Sequence, residues 1–79
     1  MTGQIKTIDV RPIEPREKHN EIFKMFFSLK PGEIMHLIND HDPKPLYYQM
    51  KAEIKDEFEW EYIEQGPETW TVNIKKTGR

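Results

Sequence analysis

Two segments near the end of the chain alternate apolar and polar residues one by one. From Phe58 to Glu64, Phe58, Trp60 and Tyr62 face one way while Glu59, Glu61 and Glu64 are polar. From Thr69 to Lys75, Trp70, Val72 and Ile74 face inward and Thr69, Thr71, Asn73 and Lys75 outward. Alternation with period two means strands with one covered face and one wet face. Gln65-Gly66-Pro67-Glu68 supplies the turn, so the pair reads as a hairpin. Whatever the rest of the chain does, it has to cover one side of this hairpin.

The preceding segments have the periodicity to do so. Arg16 to Leu29 carries Ile22, Phe23, Phe26, Phe27 and Leu29 at helical steps, with Lys18, Asn20, Glu21, Lys24 and Ser28 read as its wet side. Glu14 or Pro15 marks its start, and Lys30-Pro31-Gly32 its end. Pro43 to Ile54 reads as a second helix with a narrower stripe of Leu46, Tyr47, Met50 and Ile54. Asp42 is the expected N-cap, with Pro43 in the first helical position. Tyr47 and Tyr48 cannot both lie on that stripe, so one is expected to be exposed.

Ile5 to Val10 reads as a first strand and Glu33 to Asn39 as a second. Ile34, Met35, Leu37 and Ile38 make the second apolar on both faces, as in a central strand, with His36 on the Ile34/Ile38 face. Lys76 to Arg79 is expected to fray. The order is strand, helix, strand, helix, strand, strand. Right-handed crossovers put both helices on one face. The expected fold is an α/β (α+β) two-layer sandwich, a four-stranded mixed sheet under two helices. It forms a single domain over residues 1–79, with an ordered core of about residues 5–75.

Composition narrows function by exclusion. Apolar residues are 35% of the 79, so the aromatics, Phe27 among them, must fill much of the core. There is no cysteine, which removes disulfides, thiolate metal sites and thiol nucleophiles and favours a cytoplasmic location. Met1 to Gln4 begins no signal peptide, and no apolar run reaches membrane-spanning length. A net charge of −2 argues against nucleic acid as a partner. No phosphate loop, dinucleotide fingerprint or nucleophile–base pair is visible. No cofactor is implied, and a non-enzymatic binding module is the expected role.

Its working edge follows from topology. Parallel strands share their carboxyl ends, where open α/β sheets tend to bind ligands. Three connections meet there: Asp9–Arg16, Asn39–Pro45 and Glu64–Glu68. The expected ligand-binding residues are Arg11, Glu14, Arg16, His19, Asn39, Asp40, His41, Asp42 and Lys44. Two arginines, Lys44 and two helix N-termini offer positive potential for a small anion or a protein partner, and His41 a switchable donor. The alternative is a metal- or redox-linked accessory site on His41, Asp40 and His19, with Glu17 and Asp42 nearby.

Several blocks also resemble a known family. They are Asp9-Val10-Arg11-Pro12, Glu14 to His19, Leu29-Lys30-Pro31-Gly32-Glu33, Asn39 to Leu46, Phe58-Glu59-Trp60-Glu61-Tyr62, Gln65-Gly66-Pro67 and Trp70. Together, from about Ile8 to Lys75, they resemble the bacterial and archaeal domain of unknown function two-two-four-nine. That family is similar in fold to the TusA/SirA sulfur carriers, which implies a last strand inserted antiparallel between the second and third. The carriers use a Cys-Pro-x-Pro motif where this chain has Pro12-Ile13-Glu14-Pro15, so sulfur transfer by cysteine is not implied. Relatives joined to hemerythrin-like domains imply a link to redox or nitrogen-oxide physiology.

Overall fold

A computed structural model describes residues 4–55 and 57–77. The elements are β1 (Ile5–Asp9), α1 (Pro15–Ser28), β2 (Ile34–Asn39), α2 (Lys44–Glu53), β3 (Phe58–Gln65) and β4 (Trp70–Lys76). They form one four-stranded sheet in the order β1-β2-β4-β3. β1 runs parallel to β2, and β4 is antiparallel to both β2 and β3. The last strand is therefore inserted between the second and third. The expected element order and mixed sheet are observed.

The central strand shows how the layers are divided. Met35, Leu37 and Asn39 of β2 are buried, while Ile34, His36 and Ile38 alternate onto the other face. Cross-strand partners share a face, so Met35 and Leu37 lie beside Ile74 and Val72 of β4. Ile22, Phe26 and Leu29 from α1 and its end, and Leu46, Met50 and Ile54 from α2 and its end, close the same core. The uncovered face carries the row Thr7, His36, Asn73 and Glu61. There His36 Nδ1 lies 2.6 Å from Asn73 Oδ1, a half-buried histidine with an ordinary hydrogen-bonding role. Strict alternation breaks at Ile63, where β3 bulges between Tyr62 and Glu64 and leaves Ile63 exposed.

α1 begins as its sequence predicts. Glu14 is the N-cap residue and Pro15 opens the helix, where its missing N–H costs nothing. Gly32, at φ +94°, permits the reversal into β2. Two expectations for this part of the chain are overturned. Phe27 is 61% exposed and adds little to the core, because the buried stripe runs Lys18, Ile22, Phe26 in steps of four and Phe27 lies one residue round the helix. Lys76 is not frayed. It pairs in β4, donates from Nζ to the Leu29 carbonyl at 2.9 Å and sits 5.6 Å from the Phe26 ring centre. That position satisfies an orphan carbonyl at the end of α1 with a cation. The expectation for Gly78 and Arg79 falls outside the described residues.

α2 starts one residue later than expected, and Asp42 does not cap it. Pro43 is the N-cap residue, and no side chain bonds to the first-turn amides. The prolines explain this. A cap at Asp42 would bond the N–H of the second or third helical position, and Pro45, at the third, has none. The Asp42 carboxylate instead accepts the Tyr62 hydroxyl of β3 at 2.8 Å.

Candidate functional site

The carboxyl ends of β1, β2 and β3 do share one edge, since Asn39, Trp70 and Gln65 stand side by side in the sheet. At that edge lies a cavity of about 100 Å³, lined by Pro15, Lys18, His19, Ile22, Asn39, His41, Pro43, Pro45 and Leu46. Its walls are the first turns of both helices and the loop after β2. The prolines shape it and also strip it of amides, because Pro15, Pro43 and Pro45 have no N–H. Polar recognition here falls to side chains.

Four such side chains line it. Asn39, at the end of β2, is 4% exposed. Its Oδ1 accepts the Asp40 amide at 2.8 Å and the Lys18 ammonium at 3.4 Å. Lys18 is 8% exposed. Its only other polar neighbour among the described residues is Asp40, 3.8 Å away and itself half-exposed. A 3.4 Å contact is long for an N–H···O bond, and an ammonium has three donors to satisfy. His19 directs Nδ1 at Gln49 Oε1, 2.5 Å away, which ties α1 to α2. His41 directs Nδ1 at Asp40 Oδ1, 2.7 Å away. That bond holds the Asp40 carboxyl below the usual carboxylate range, burial opposing it and the Lys18 charge adding to it.

The residues anticipated from sequence divide into two groups. His19, Asn39 and His41 meet at the cavity. Asp40 stands behind His41 and Lys18. Arg11 is spent on Asp9, with bonds of 2.9 and 2.6 Å that lower the Asp9 pKa and raise that of the guanidinium. Arg16 and Glu14 face each other at 3.6 Å on the exposed rim. Asp42 is bonded to Tyr62. Lys44 points to a different, apolar groove of about 150 Å³ with Tyr47, Tyr48, Trp60 and Tyr62. Tyr48 is the exposed member of the tyrosine pair, and the groove's rings pack edge to face. The Glu64–Glu68 turn supplies none of the lining.

The residue missed by sequence reading is Lys18, assigned to the wet side of α1. The signal was present: 18, 22 and 26 are spaced by four. Lysine's polarity outweighed its register. Among the described residues, no three His, Cys, Asp or Glu side chains group as metal ligands would.

The fold and this edge define a small α+β sandwich with a cavity of mixed polar and apolar lining where parallel strands end. The chain belongs to the family of uncharacterized conserved proteins designated DUF2249, which it matches over residues 7–76. No curated protein and no solved structure matches it.

Proposed function

We propose that this chain is a small binding module that takes a small anion in the cavity between the start of α1 and the loop after β2. The observation that carries this reading is Lys18. A buried ammonium with one long hydrogen bond and one distant, half-exposed carboxylate is incompletely paired. An anion entering the cavity would complete its coordination, with Asn39, His19 and His41 as the remaining polar walls. Arg11 and Arg16 are paired with Asp9 and Glu14, and Lys44 lines the other groove, so the cavity's positive charge rests on Lys18.

The metal- or redox-linked alternative has less support. A cation would sit beside the Lys18 ammonium, and the ligand-type side chains do not cluster. A cytoplasmic location belongs to the same proposal and rests on the cysteine-free sequence. So does kinship with the sulfur carriers, which rests on the inserted last strand.

The test is an NMR titration of the protein with phosphate, sulfate and acetate. Shifts centred on Lys18, His19, Asn39 and His41 are expected. Shifts confined to the open sheet face around His36 and Asn73 would overturn the proposal.

A further inference from the structure

For a neutral ring, the hydrogen bond that each cavity histidine makes decides which nitrogen holds the proton, and this restricts the anion. Gln49 donates from Nε2 to Glu53 Oε2 at 3.0 Å, so its Oε1 is the atom that meets His19. A carbonyl oxygen only accepts, so His19 Nδ1 carries the hydrogen. Asp40 Oδ1 belongs to an ionised carboxylate, also acceptor-only, so His41 Nδ1 carries a hydrogen as well. Each neutral ring is left with Nε2 as a lone-pair acceptor.

The cavity therefore combines one cationic donor, Lys18, with two imidazoles that accept hydrogen bonds. An anion without hydrogens satisfies Lys18 and leaves both Nε2 atoms unmatched. Resting on the small-anion reading above, we propose that the site selects a small oxyanion or carboxylate that keeps an O–H of its own. Hydrogen carbonate and short hydroxy acids have that chemistry, and a cavity of about 100 Å³ restricts the ligand to a few heavy atoms. The anionic oxygen accepts from Lys18, and the O–H donates to His19 or His41. Placing a proton-free anion there forfeits a hydrogen bond to the half-buried His19, and the lost bond corresponds to about tenfold in affinity.

The experiment uses two pairs of anions matched in charge and within one heavy atom in size, titrated calorimetrically near pH 8, where imidazole is ordinarily neutral. Hydrogen carbonate is set against nitrate, and glycolate against acetate. Binding about tenfold tighter for the O–H member of both pairs is expected. In a His19→Phe, His41→Phe double variant the O–H member of each pair should bind no more tightly than its proton-free partner. His41 is exposed, so a His41→Phe single variant serves if the double variant fails to fold, and it should reduce the preference. Equal affinities within both pairs would overturn the selectivity and leave the small-anion reading intact. A preference in the carbonate pair alone would also overturn it, since dissolved carbon dioxide reacting with amines would explain that result. Failure of all four anions to bind would overturn the underlying reading itself.

Discussion

Replacing Lys18 by methionine is expected to stabilise the unliganded protein while removing its affinity for anions. Lys18 is 8% exposed, and its ammonium has one hydrogen bond of 3.4 Å and one ion pair of 3.8 Å. Methionine keeps the length of the side chain and its apolar packing along the Ile22/Phe26 stripe. Neither former partner is orphaned. Asn39 Oδ1 keeps the Asp40 amide, and Asp40 keeps His41 and solvent. Exchanging buried ionic groups for apolar ones is neutral or stabilising by about 1–4 kcal/mol. With a single charge removed and Asp40 half-exposed, a gain near the low end, about 1 kcal/mol, is expected. For a domain of this size that raises Tm by about 4–8 °C. In wild type, an anion at ten times its Kd should add about 1.4 kcal/mol of stability, whereas the variant should not respond. Thermal melts monitored by circular dichroism, with and without phosphate, measure both effects. A variant less stable than wild type by 1 kcal/mol or more would refute the reasoning, because Lys18 would then be a structural ion-pair member.

Other outcomes are also specific. Tyr62→Phe and Asp42→Ala should each lower stability by about 1 kcal/mol in urea unfolding, and the double variant by little more, since both remove one hydrogen bond. Burial and then the bond to Asp42 raise the Tyr62 pKa, so this contribution is complete below about pH 10 and fades as pH rises through the higher folded value. On the acid side, Asp40 and Asp9 have lowered pKa values, so their contributions hold above about pH 4 and fade as pH falls through the folded values, which acid titration by NMR would record. Gly66→Ala should cost about 2 kcal/mol, because φ is +74° and a Cβ would stand 2.7 Å from the Trp70 ring. Phe26→Ala should cost about 3–5 kcal/mol and Phe27→Ala little, as one is 1% and the other 61% exposed.

Much of this edge was legible residue by residue, with instructive gaps. Asn39 and His41 were legible because polar residues where a parallel strand ends have a limited set of places to point, and His19 because it lies near the start of the helix that meets that edge. Lys18 was not, since sequence reading weighs a residue's polarity before its register. Asp42 was misread as a cap because local rules favour an acid before a helix. The partner that claimed it, Tyr62, lies 20 residues along the chain.

The sequence by itself determined the six elements, the parallel crossovers and the two-faced hairpin, because period and turn chemistry are local properties. It also excluded every chemistry that needs a cysteine. The placement of β4 between β2 and β3 followed from resemblance and was confirmed only by pairing. Tertiary structure alone decided which polar groups ended up underpaired. That depends on distances between residues far apart in the chain: Lys18 to Asn39, His19 to Gln49, and Tyr62 to Asp42. Folding brings Lys18 one long hydrogen bond and one distant carboxylate, and no local rule of sequence sets either distance.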